Sequence, residues 1–174
     1  NVDLLGNANG LFVNMGGSKI NVDGGKIEVF DIWDKGYAAI RAENGIVNMN
    51  VVQDKDGNVT GAANNKVNIT GNLGVSTGAV NSVDKHGTKS EINLGLTTKD
   101  SVLTGVVENT FNDEGNKAGS YTFTGAVNLW LQNGATWNNE KVGTALGDLE
   151  DSLEEFSGSH VAKLVGGNDA DHVG

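Results

Sequence analysis

The chain has 174 residues, no cysteine, no proline, 26 glycines and a formal net charge of -10. That length holds one sizeable core and is too short for many domains, and the lack of cysteine excludes a disulfide framework, a thiolate metal site and a cysteine nucleophile. Twelve Lys and Arg against 22 Asp and Glu argue against nucleic acid, because neutralising phosphates needs a basic face.

Taken in chain order, one short phrase keeps returning: an apolar residue, an asparagine, another apolar residue. It stands at Val13-Asn14-Met15, Ile20-Asn21-Val22, Val47-Asn48-Met49, Val67-Asn68-Ile69, Ile92-Asn93-Leu94 and Val127-Asn128-Leu129. Period-two alternation means a strand with its apolar pair facing inward and asparagine facing the other way. Two copies extend further: Val47, Met49 and Val51 against Asn48 and Asn50, and Val127, Leu129 and Leu131 against Asn128, Trp130 and Gln132. Gly16-Gly17, Gly24-Gly25, Asn44-Gly45, Gly71-Asn72, Gly115-Asn116 and Asn133-Gly134 punctuate the chain as turns, since glycine and asparagine reach positive φ at low cost. Asp56-Gly57 marks the best hairpin, between 47–52 and 59–63.

From residue 20 onward the copies begin 20 to 35 residues apart, and most gaps lack a hairpin signature. That spacing favours a parallel solenoid over an antiparallel sandwich, with like phrase stacked on like phrase. Roughly six to eight coils at ~4.8 Å give a height of roughly 30 to 40 Å. The absence of proline fits, because interior strands need every backbone donor. Outward asparagines are expected to form amide ladders along the stack. Near the C-terminal end Leu146, Leu149, Leu153 and Phe156 recur at helical spacing among Asp148, Glu150, Asp151, Glu154 and Glu155. They predict a short amphipathic helix that lies across the last coils or shields an end of the stack. The expected organisation is one domain: coils over 1–146, the helix over 147–157 and a terminal coil over 158–174.

The stretch 119–139, with Val127, Leu129, Leu131, Ala135 and Trp137 in the phrase G-x-V-x-L-x-L-x-N-G-A-x-W, resembles the barrel-proximal region of bacterial autotransporter passenger domains. Ser101-Val102-Leu103-Thr104-Gly105 resembles the S-x-L-x-G phrase that often precedes it. The resemblance implies a right-handed parallel β-helix in which those five apolar residues line the core. It further implies export through an outer membrane and display at, or release from, the bacterial cell surface as a scaffold or adhesin. A host receptor, a glycan or a second copy would then be the partner. The leader and membrane barrel of a complete autotransporter are not found here, and no stretch approaches the ~20 apolar residues of a membrane-spanning helix.

The chemistry-bearing patterns are thin. Gly74-Val75-Ser76-Thr77-Gly78 spells a nucleophile elbow, but a β-like run follows where a helix is required. Gly166 to Val173 approaches one copy of a calcium-binding nonapeptide that works in tandem, and Asp54-Lys55-Asp56-Gly57-Asn58 approaches a calcium loop with its glycine too early. Both read as turns, so no metal or other cofactor is expected. The alternative function, a polysaccharide-degrading β-helix lyase or hydrolase, needs paired carboxylates. Its candidates are Asp31 with Asp34 and Asp84 with Glu91, and neither pair recurs at coil spacing; no catalytic residue is assigned. His86, His160 and His172 read as exposed turn residues. Trp130, flanked by outward Asn128 and Gln132, is the candidate partner contact: it either stacks on a sugar ring or packs under the 147–156 helix.

Overall fold

The structure, a computed structural model, describes residues 1–77, 90–111, 125–145 and 158–167. Over these residues the chain forms β1 (Val2–Gly6), β2 (Leu11–Val22), β3 (Gly25–Val29), β4 (Ile40–Met49), β5 (Val51–Gln53), β6 (Val59–Ala62), β7 (Val67–Thr70), β8 (Leu73–Thr77), β9 (Ser90–Leu96), β10 (Val102–Thr104), β11 (Val107–Phe111), β12 (Gly125–Gln132), β13 (Thr136–Asn138) and β14 (Lys163–Gly167). Among the described residues there is no helix. The helix expected over 147–157 lies outside them, as does the end of the terminal segment, 168–174.

The protein is all-β and mostly parallel. One sheet takes β1, β3, β7, β10 and β13 in that spatial order, each pair parallel. A second runs β11-β8-β4-β9-β12-β14 with β2 also on β4, again parallel throughout. The chain shuttles between the two sheets, and β5 with β6 forms an antiparallel hairpin, the one expected around Asp56-Gly57. Strand β4 branches the second sheet: its first half, Ile40 to Glu43, pairs with β8, and its second half, Ile46 to Met49, pairs with β9.

Register puts like on like. Leu4, Ile27, Ile69, Leu103 and Trp137 form one column of the first sheet. Ile20, Val47, Ile92 and Val127 form a column of the second, with Val22, Met49, Leu94 and Leu129 beside it. Most of these side chains belong to, or pack against, one core cluster shared by the two sheets. Each fully buried aliphatic side chain there contributes about 1.5–3 kcal/mol relative to its exposed state.

Three details correct the sequence expectations. First, Val67-Asn68-Ile69 lies on the other sheet from the phrases at 20, 47, 92 and 127, with Asn68 paired to Lys26 and Val102. Both sheets alternate inward and outward, so the phrase marks a strand without saying which sheet it joins. Second, Gly16-Gly17 and Asn44-Gly45 are not turns between strands; they are irregularities inside β2 and β4, where the register shifts between Asn14 and Ser18. A Cβ on Gly45 would lie 2.5 Å from a Val13 methyl, so the two strands approach only because no side chain is there. Third, Asn50 does not point outward. Its φ is 55°, and its buried amide donates to Asn65 O, Gly95 O and Thr97 Oγ1 while accepting from the Asn65 backbone N–H.

The two phrases behind the family resemblance touch. Trp137 pairs with Leu103, and its Nε1 donates to Gly105 O at 2.9 Å. Ser101 Oγ accepts the Val67 N–H at 3.1 Å. A Cβ on Gly105 would lie 2.2 Å from Gly71 O. Gly105→Ala is therefore expected to cost about 1–3 kcal/mol through overpacking. Gly61→Ala, whose added methyl would meet nothing within 4 Å, should change stability by less than about 0.5 kcal/mol. Urea midpoints of the two variants check this.

Candidate functional site

Alternation along β4, β9 and β12 sends Asn48, Asn93 and Asn128 to the outward face of the second sheet, and parallel register stacks them with Asn21 before and Lys163 after. The stack is bonded as expected. Asn48 Nδ2 donates to Asn21 Oδ1, Asn93 Nδ2 to Asn48 Oδ1 and Asn128 Nδ2 to Asn93 Oδ1, each at 2.8 Å. All three amides donate in one direction along the sheet, and Asn93 Nδ2 also donates to Glu91 Oε1 at 2.7 Å. Asn48 and Asn93 are only 2% exposed, so these bonds offset the cost of removing amides from water.

The β5–β6 hairpin folds back over this face. At its base Gln53 Nε2 donates to Asn21 Oδ1 at 2.8 Å. At its tip the Asp54 carboxylate accepts the backbone N–H groups of Asp56 and Asn58 and the Asn58 side-chain amide. The side-chain bond from Asn58 first, and its backbone N–H second, hold the Asp54 carboxyl below the ordinary carboxylate range. The segment 54–58 is thus a self-bonded turn, with the Asp54 carboxylate committed to its own backbone.

Between this tip and the far strands lies a groove of about 400 Å³. Asn48, Asn93 and Asn128 line it, with Asp56 to Val59 from the hairpin, Lys19, Ile46 and Glu91 on the near rows, and Trp130 and Lys163 beyond. Trp130 faces outward, as expected, but is only 6% exposed. Lys163 Nζ sits 5.3 Å from its ring centroid, a cation–π contact that positions the ammonium. The indole is therefore not an open platform for a sugar ring; it holds a lysine. The helix considered as its cover lies outside the described residues. Of the three candidate contacts the groove takes Asn128 and Trp130; Gln132, half-buried and paired with Gly167, does not line it. Of the five motif residues, Val127 and Leu129 are buried, while Leu131, Ala135 and Trp137 are half-buried against the same core.

Other candidates are placed elsewhere. Asp31 is 2% exposed and accepts the backbone N–H groups of Lys35, Gly36 and Thr144, and Asp34 accepts the Thr144 hydroxyl at 2.9 Å. Both carboxylates clip the loop after β3 to the segment after β13. Ser76 is inside β8, paired with Glu43 and Thr110, rather than at a strained turn. His160 is exposed, its backbone N–H donating to Val107 O. Gly166 and Gly167 belong to β14, and Asp84, His86, His172 and the remainder of the glycine-rich end lie outside the described residues. Among the described residues no three His, Asp or Glu side chains are grouped to hold a metal ion, and no helix is long and apolar enough to cross a membrane.

Sequence reasoning placed partner contacts on the 53–65 loop and named Glu91 only as a carboxylate paired with Asp84; it missed Lys19, and it missed that Glu91 and the hairpin tip wall one groove. A signal was present: Lys19 and Glu91 each stand two residues before a ladder asparagine, on the same face by alternation. Searches against protein families, curated proteins and solved structures found no match to this chain.

Asn93→Asp would replace two donated bonds with a carboxylate facing Asn48 Oδ1 and Glu91. It should cost about 2–4 kcal/mol at neutral pH. Crowded against other acceptors, the new carboxyl would titrate above its unfolded value, so the deficit relative to wild type should shrink as pH falls; denaturation of both proteins across pH tests this. For Asp54 the sign is opposite. Its folded pKa is lowered, so its contribution is present above the ordinary value of 3.8 and is lost as pH falls through the lowered pKa. The NMR shift of the Asn58 backbone amide should remain steady down to about pH 4 and move only at lower pH.

Proposed function

We propose that this chain is a piece of an autotransporter passenger, a right-handed parallel β-helix serving at the bacterial surface as a rigid scaffold and adhesin rather than as a catalyst. The observation that carries the reading is the meeting of its two family-like phrases: 101–105 and 125–137 lie on neighbouring passes, with Trp137 stacked on Leu103 and bonded to Gly105. Parallel register along both sheets supports the scaffold role, because each pass bonds to its neighbours through backbone and amide hydrogen bonds directed along the stack. A net charge of -10 keeps such rods soluble and mutually repelling. In this reading the hairpin and the groove beneath it are the contact surface, mounted on a regular framework.

The test is exposure on living cells. Proteinase K added to intact producer cells should remove the chain from an immunoblot while a cytoplasmic marker survives. Protection until the cells are lysed would overturn the assignment to the surface.

A further inference from the structure

The groove over the asparagine ladder has an uneven supply of hydrogen-bonding groups. Lys19 and Lys163 both line it, both are exposed, and among the described residues neither is ion-paired. Lys163 is held over the Trp130 ring, so its ammonium is positioned before any ligand arrives. Asn128 uses one amide hydrogen in the ladder, and its Oδ1 accepts none of the hydrogen bonds found among the described residues. Two carboxylates face the same space. Glu91 has one oxygen committed to Asn93, and Asp56 sits at the hairpin tip, 65% exposed, with Lys55 at 3.6 Å. Ile46 and Val59 add apolar surface.

These groups ask for different things of one ligand. Two ammoniums call for an anion, while two carboxylates repel anions and call for hydroxyl donors. A neutral sugar leaves the lysines uncompensated, and an acidic peptide offers carboxylates with few hydroxyls and meets repulsion from Asp56 and Glu91. A sugar acid supplies both in one ring: a carboxylate, several hydroxyls and an apolar C–H face. The volume of about 400 Å³ falls within the range of small-ligand sites. We propose that the groove binds an acidic oligosaccharide of the uronic acid type, one carboxylate on Lys163 and another on Lys19 four strands away, its hydroxyls on Asp56, Glu91 and Asn128. This deepens the adhesin reading above and rests on it.

Isothermal titration calorimetry on the full chain, with trigalacturonic acid, neutral galactotriose and triglutamate at matched ionic strength, tests the proposal. Trigalacturonic acid should bind, and galactotriose and triglutamate should bind at least about tenfold more weakly, the worth of one charge-assisted hydrogen bond. Lys19→Gln and Lys163→Gln should each weaken the acidic trisaccharide about tenfold, with the thermal melt of the exposed Lys19 variant unchanged and that of the Lys163 variant, which loses its contact with Trp130, lowered by about 4 °C at most. No binding of trigalacturonic acid, equal binding of galactotriose, or affinity unaffected by either substitution would overturn the proposal. Triglutamate binding as tightly would overturn it too and make this a peptide site instead. A chain that is cleaved on intact cells yet ignores all three ligands would sink the ligand assignment alone and leave the scaffold reading standing.

Discussion

Everything in this fold depends on parallel strands from distant parts of the chain meeting in register. Residues 34 positions apart, such as Leu73 and Val107, lie side by side, and no single pass can bury its own apolar side. The stack stands because columns such as Leu4, Ile27, Ile69, Leu103 and Trp137 keep apolar atoms in continuous contact from one strand to the next. A slip of one residue would turn every such column outward and bring the outward asparagines into the core. Hydrophobic alternation therefore specifies register strongly, and the close backbone approaches at Gly45 and Gly105 depend on that register being kept.

Asparagine does two separate jobs in this framework. On the outward face of the second sheet it repeats in register and bonds to itself, so that Asn21, Asn48, Asn93 and Asn128 share one line of amide hydrogen bonds. At bends it works alone. Asn50, at φ 55°, ties the hairpin base to Gly95 and Thr97, and Asn72, 1% exposed, accepts the N–H groups of Val106 and Val142. The chemistry is the same: a short amide with both donor and acceptor can satisfy backbone or side-chain groups without carrying a charge into a dry site.

The groove follows from where the antiparallel hairpin is inserted. β5 and β6 leave the second sheet after β4 and return to the first sheet at β7, and the hairpin folds over the outward face against β9, which follows it in the chain. Its tip is stiffened internally by Asp54 and its base by Gln53 and Asn50, so it presents a wall to the ladder instead of a loose loop. Opposite it, Trp130 holds Lys163. A framework whose stability comes from its interior can thus carry charged groups on its exterior at little cost, which is the division of labour the proposed surface role requires.

Much of this was legible in the sequence, because strand alternation, hairpin chemistry and the self-pairing of asparagine are local properties. The phrase at 20, 47, 92 and 127 predicted strands, their stacking and the amide ladder, and Asp56-Gly57 predicted the hairpin. Three-dimensional packing decided what local chemistry leaves open: that 67–69 belongs to the opposite sheet, that Asn50 turns inward, that the glycines at 16, 17 and 45 bend strands instead of ending them, and that Trp130 is covered. Each of these depends on which distant segment lies alongside, and a pattern of period two is identical on both sheets. Composition and alternation determined an all-β chain with a repeating outward asparagine; the meeting of Lys19, Glu91, Asp56 and Lys163 around one groove was decided only by tertiary structure, since those charges are brought together by inter-strand register and not by any spacing along the chain.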